Sequence, residues 1–234
     1  MRNPLIYFML SLLIFTTACS KDESEESTPE LAELYLSSPL DNSTCEGNSI
    51  SNTKCEVTLF WEPTNDAESY TLKVINLETS KVVLIQNDIK NTSYKLVLDK
   101  NVPFSWTVSS FNILSKQMSA NSPIWKFYAS ANESVANYTP FPADLIAPIQ
   151  EKILTAVDGK ITLKWMGSDT DSSALKYTIY LDKIDGMQTP LAELTNLSDT
   201  QVSVPVLSGV YYWRVKTSDG SSSSFSQIVQ FTVK

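Results

Sequence analysis

The chain has 234 residues, with 18 basic and 26 acidic side chains, no histidine and a formal net charge of −8. The acidic balance argues against nucleic acid, or an anionic headgroup surface, as the main partner. The missing histidine removes the commonest metal ligand and the commonest general base.

At the N-terminus Arg2 precedes an apolar run from Leu5 to Phe15, and Thr16-Thr17-Ala18-Cys19-Ser20 follows. Such a run reaches about 16 Å as a helix, half of a bilayer core, so the pattern predicts a secretion signal and not a membrane span. A cysteine directly after a small residue at the end of this core resembles a bacterial lipoprotein signal, although Thr16 stands where Leu is usual. The resemblance implies that residues 1–18 are removed and that Cys19 is the lipid attachment site. It also implies membrane attachment through a multiply acylated sulfur, because a single acyl chain binds only marginally.

Residues 19–33 are predicted to be the lipidated cysteine and a disordered acidic tether. Positions 20–33 hold one Lys and six acids, too polar to pack. Two readings stand for Lys21-Asp22-Glu23. One is a spacer that lifts the folded part off the lipid. The other is a resemblance to the signal with which some Gram-negative bacteria send lipoproteins to the outer face of the outer membrane, which makes the cell surface the expected location and the periplasmic face the alternative. With Cys19 assigned to lipid, Cys45 and Cys55 remain, and an exported compartment permits them to oxidise. A disulfide closing that loop contributes about 2.5–3 kcal/mol on chain-entropy grounds. A structural staple fits better than a redox centre, because no Cys-x-x-Cys spacing is present.

Beyond the tether the sequence repeats itself. Val57-Thr-Leu-Phe-Trp61, Tyr70-Thr-Leu-Lys-Val74 and Phe104-Ser-Trp106-Thr-Val108 are answered by Ile161-Thr-Leu-Lys-Trp165, Tyr177-Thr-Ile-Tyr-Leu181 and Tyr211-Tyr-Trp213-Arg-Val215. Tyr70 to Trp106 and Tyr177 to Trp213 both span 36 positions, and a repeat period of about 105 residues is a whole domain rather than a solenoid unit. Each block alternates apolar and polar residues, the period-two signature of strands, with Asn, Asp, Ser, Gly and Pro in the gaps. The predicted fold class is therefore all-β: two tandem antiparallel β-sandwiches.

The paired tryptophans and tyrosines, and above all Tyr211-x-Trp213-Arg-Val215, resemble fibronectin type III domains. The resemblance implies a first domain over 34–128, a linker over 129–143 stiffened by Pro140 and Pro142, and a second domain over 144–234. Ile228 to Val233 fills the closing strand in the second copy and Trp125-Lys-Phe127 in the first. Phe104 stands where the family carries a tyrosine whose hydroxyl pins the corner between strands E and F, ahead of its own strand, so that bond is expected in the second copy only. Alternation places Trp61, Tyr70, Leu72, Val74, Trp106, Val108, Trp125 and Phe127 in one core. It places Leu163, Trp165, Tyr177, Ile179, Leu181, Trp213, Val215 and Phe231 in the other.

The search for chemistry yields little. Ser173-Ala-Leu-Lys176 spells the Ser-x-x-Lys nucleophile motif, but its lysine runs into a predicted strand rather than along a helix. Asp169 and Asp171, with Asp182 and Asp185 one strand later, invite a calcium reading; turn formation explains them better. No metal ligand set, catalytic residue or cofactor is assigned. The candidate ligand surface is Tyr180, Tyr212 and Arg214, outward-facing on adjacent strands, with the two tyrosine rings expected side by side; a plain cross-strand pair is the bland alternative. The expected function is a non-enzymatic, lipid-anchored binding or scaffold module with a protein or glycan partner, an accessory of glycan uptake or of adhesion. A structural spacer or an unrecognised enzyme are the alternatives.

Overall fold

A computed structural model describes residues 32–65, 67–112, 117–130 and 137–234. The signal segment, Cys19 and the tether through residue 31 lie outside the described residues.

Among the described residues eleven strands make the first domain: β1 (Ala32–Glu33), β2 (Leu36–Ser38), β3 (Ser43–Glu46), β4 (Asn48–Ser49), β5 (Lys54–Trp61), β6 (Ser69–Asn76), β7 (Lys81–Ile89), β8 (Ser93–Asp99), β9 (Val102–Asn112), β10 (Gln117–Asn121) and β11 (Trp125–Ser130). One sheet gathers β2, β4 and β8 around β5. The other carries β7, β6, β9, β10 and β11, with β3 and β1 added in parallel along its last strands. Period two sets which side chains go inward: Cys55, Val57, Leu59 and Trp61 of β5 are all buried while Lys54 and Phe60 are exposed. Ala32 and Glu33, placed in the tether by composition, pair with Ala120 and Asn121, and Leu34 directly after them is fully buried.

The second domain repeats the plan with β12 (Phe141–Ala147), β13 (Lys152–Leu154), β14 (Lys160–Ser168), β15 (Lys176–Asp182), β16 (Gln201–Pro205), β17 (Gly209–Ser218), β18 (Ser223–Phe225) and β19 (Val229–Val233). Its sheets are β12-β14-β16 and β13-β19-β17-β15, with β18 also on β17. The only helical turn among the described residues is a short one at Ala192–Leu194, in the segment where the first domain has β7.

The two copies superpose in register as well as in sequence. Val74 faces Trp106 across β6 and β9, and Leu181 faces Trp213 across β15 and β17. Trp61 meets Tyr70 edge-on at 5.6 Å and 68°, and Trp165 meets Tyr177 at the same 5.6 Å and 68°. Each domain has its own buried core, and the predicted core residues lie in or against them, Trp125 and Leu181 being partly buried.

The corner that leads into β17, and the matching one that leads into β9, are held differently in the two domains. In the second, the Tyr211 hydroxyl accepts the Leu207 amide at 3.0 Å and donates to the Leu207 carbonyl at 2.9 Å, while its ring stacks on Phe231 at 5.5 Å. In the first, Phe104 packs on Phe127 at 6.1 Å and has no hydroxyl. The amide four positions before Phe104, that of Lys100, donates to the Thr53 carbonyl at 2.9 Å; Val206 makes the same ladder bond to Gly159 in the second domain, where the turn is one residue longer and leaves the Leu207 amide for the hydroxyl. Lys54 and Asp99 add an ion pair of 2.8 Å beside this corner.

The predicted linker is partly built into the sandwiches: Ala129 and Ser130 close β11, and Phe141 to Ala143 open β12. Phe141 is fully buried. Its ring lies 5.1 Å from that of Tyr128, whose other ring neighbour is Tyr138 at 4.8 Å. The Tyr128 hydroxyl donates to the Thr139 carbonyl at 2.6 Å. Burial pushes its pKa well up, reinforced by the charges of Glu78 and Asp169. Lys126, buried on β11, pairs with Asp144 of β12 at 2.7 Å. Ser168 donates to Asn42 at 2.6 Å, and the Tyr138 amide donates to Asp171 at 2.9 Å. These bonds dock one sandwich on the other.

Candidate functional site

Strands β15 and β17 run antiparallel with Tyr180 opposite Arg214, Thr178 opposite Lys216 and Asp182 opposite Tyr212. Inward parity on β17 belongs to Tyr211, Trp213, Val215 and Thr217, all buried, which turns Tyr212, Arg214 and Lys216 to the outer face. β18 then brings Phe225 opposite Lys216.

The result is a stack centred on the arginine. The Arg214 guanidinium carbon lies 4.8 Å from the Tyr180 ring centre and 4.4 Å from that of Phe225. The two rings themselves meet edge-on at 5.7 Å. A cation lying over two rings gains from both quadrupoles, about 0.5–1 kcal/mol each at a surface and more as water is excluded. Among the described residues the ion pairs are Lys54–Asp99, Lys95–Glu56 and Lys126–Asp144, and none reaches Arg214. Its Nε is buried with no hydrogen-bond partner.

Tyr212 takes a different role from the one its spacing suggested. A Cβ at Gly186 would come within 3.3 Å of the Tyr212 Cβ and 3.1 Å of Ile228, so the loop after β15 lies against Tyr212. Gly186 sits at φ +74°, where a side chain is strained in any case. The loop is pinned by Asp182, which accepts the amides of Ile184 (2.7 Å), Asp185 (2.8 Å), Gly186 (3.0 Å) and Gln188 (3.2 Å). Burial works against the Asp182 charge, but the four amides outweigh it and hold the carboxyl below its usual range. The ring that meets Tyr180 is thus Phe225, which the sequence reading did not single out. It sits after Ser221-Ser222-Ser223-Ser224, a run with no apolar alternation to mark a strand.

The remaining candidates fall into place as follows. Cys19 lies outside the described residues. Cys45 and Cys55 are both free thiols in the structure; Cys55 is buried and Cys45 packs against the same core. Burial first, then the nearness of Cys55 and Glu46, pushes the Cys45 thiol up to about 11. Ser173 precedes β15 in a non-helical segment, and the Lys176 amine reaches Ser198 at 2.6 Å. Asp169 and Asp171 stand at the domain junction, where Asp171 accepts the Tyr138 amide. Burial, then the hydrogen bond with Asp171, raises the Asp169 carboxyl to about 6, and its Oδ2 has no partner.

Phe225 also lines a cleft between the sandwiches. Two hollows, of about 460 and 410 Å³, share Leu77, Ser80, Pro142 and Phe225. A larger apolar groove of about 740 Å³ runs along the second domain past Ile146, Pro148, Leu154 and Val157, and shares no residue with the cleft or the stack.

No protein-family model matches the chain. No curated protein matches it either. Among solved structures it is similar to an Fn3-like protein from Clostridium thermocellum, at 19% identity over 42% of this chain and 100% of that one, with a TM-score of 0.28. It is also similar to the two tandem V-type regions of VCBP3, a v-region-containing chitin binding protein, at 10% identity over 87% of this chain and 100% of that one (TM-score 0.34). The tandem Ig repeats of Dlar match at 10% identity over 86% of this chain and 98% of that one (TM-score 0.28). The architecture itself rests on strand order and register: two tandem all-β sandwiches.

Proposed function

We propose that this chain is a non-enzymatic binding module of the cell envelope, anchored by lipid on Cys19 and held at the outer surface of a Gram-negative outer membrane. The observation that carries the binding role is the Tyr180–Arg214–Phe225 cluster, an arginine lying over two rings that also touch each other, with no ion pair among the described residues to answer its charge. Aromatic and arginine side chains with this low rotational freedom are the groups that dominate binding energy at interfaces. The anchor rests on the apolar run, the small residue before Cys19 and the acidic stretch behind it. In that oxidising setting Cys45 and Cys55 form a disulfide.

A rigid spacer inside an envelope complex is the second reading, favoured by the hydrogen bonds and the Lys126–Asp144 ion pair that lock the two sandwiches together. Two measurements decide. Mass spectrometry of the N-terminal peptide from native cells tests the anchor, and an unmodified Cys19 thiol rejects it. Photo-cross-linking from position 180 or 225 on whole cells tests the binding role: a captured partner supports it, and a surface that captures nothing leaves the spacer.

A further inference from the structure

The Arg214 stack and the cleft between the sandwiches share a wall, Phe225. Its ring meets the guanidinium at 4.4 Å and also lines both hollows of the cleft. The cleft is of a size that holds small ligands, which typically need about 300–1,000 Å³. Its position is set by docking contacts and not by a free hinge: Lys126 and Asp144, which line one half, are themselves paired at 2.7 Å.

The lining mixes flat apolar groups with hydroxyls. Leu77, Pro103, Pro142 and Phe225 stand beside Ser80, Thr139, Ser223 and Ser224, and Glu78 adds one carboxylate, so the anionic group of a ligand is received at the Arg214 end and not in this hollow. Ser224 Oγ is buried without a partner. Saccharides present the complementary surface, with C–H faces that lie on aromatic and proline rings and hydroxyls that exchange hydrogen bonds with serines. Beside this lining the Arg214 guanidinium, with Lys216 next along the strand, supplies unanswered positive charge on a chain whose net charge is −8. A neutral sugar leaves that charge unused; a carboxylate or sulfate group takes it up in a charge-assisted pair.

We propose that the cleft and the Arg214 stack together bind an acidic oligosaccharide, its rings along Phe225 and Tyr180 and its anionic group on Arg214. This rests on the reading of the chain as a binding module and adds the ligand class; it does not depend on the lipid anchor.

The test is calorimetric titration of the full chain with three probes: hexagalacturonate, its fully methyl-esterified form, and dextran sulfate. Wild type is expected to bind hexagalacturonate or dextran sulfate, with the better of the two naming the anion, and to bind the neutral ester at least about tenfold more weakly, as loss of a charge-assisted pair predicts. Arg214→Gln removes that preference, and Phe225→Ala weakens all binding. Because Arg214 also packs against two rings, circular dichroism accompanies each variant. Lys216→Gln, on the solvent side, gives an independent arm with a several-fold loss for the anionic probe alone. Equal affinity for the ester, an anionic preference that survives both charge substitutions, or no binding of any probe overturns the proposal. If no probe binds but the cross-linking experiment captures a protein partner, the saccharide assignment fails and the binding-module reading stands.

Discussion

Substituting Tyr211→Phe removes one oxygen and tests how the second sandwich holds its corner. The ring stays stacked on Phe231. What is lost is a pair of bonds to one residue, the Leu207 amide at 3.0 Å and its carbonyl at 2.9 Å. Each such bond has a net worth of about 0.5–1.5 kcal/mol. Leu207 is 79% exposed, so water takes over part of both roles. The expected cost is therefore about 1–2 kcal/mol and not the penalty of a buried orphan. Urea unfolding followed by tryptophan fluorescence should show a lower midpoint with an unchanged slope, since no large surface is newly exposed. The reciprocal substitution, Phe104→Tyr, should stabilise nothing, because the Lys100 amide already donates to Thr53. A Tyr211→Phe loss below about 0.3 kcal/mol, or a Phe104→Tyr gain near 1 kcal/mol, refutes the account of the two corners.

Three further outcomes are expected. Asp144→Asn leaves the buried Lys126 charge uncompensated; because Asp144 is itself half exposed, the loss should be about 1–3 kcal/mol, below that of a fully buried pair, and larger than for Lys126→Met, which removes the charge as well. This is checked by melting temperature and by protease cutting between the domains. Asp169, with its folded-state carboxyl raised to about 6, binds its proton more tightly folded than unfolded, so its contribution to stability increases as pH falls from about 6 toward 4 and is lost as pH rises through 6. The melting-temperature difference between Asp169→Asn and wild type should therefore favour the variant at pH 7 and shrink by pH 4.5; a difference independent of pH rejects this. Protein from the native envelope should carry a Cys45–Cys55 bond, seen as resistance of both thiols to alkylation until reductant is added, and reduction should cost about 2.5–3 kcal/mol.

Much of the fold was legible because burial on a strand follows parity. Trp61, Leu72, Trp106, Leu163, Ile179 and Trp213 needed only the period-two pattern to be placed inside. The duplication was legible because equal spacing preserved equal register, down to matched Trp–Tyr geometry. Lys126 shows where that logic ends. Its buried position is made by the second domain packing over it, and its partner Asp144 is reached through a docking contact that alternation does not encode. Phe141 was read as linker for the same reason, since two prolines flank a single apolar residue there. At the candidate site, Tyr180 and Arg214 were found because they sit on long regular strands. Phe225 was missed because β18 has only three residues and follows a polar run. Tyr212 turned out to lie against a loop whose course is set by four amides on Asp182, a turn invisible to strand spacing.

The bond from Lys100 to Thr53 has a twin in that from Val206 to Gly159. Both halves close the turn on the same ladder, and one adds an aromatic oxygen across a turn that is one residue longer. In a duplicated gene the codon that lengthens the turn and the codon that supplies the oxygen are therefore useful only together, since the oxygen has a spare amide to meet only where the extra residue is present.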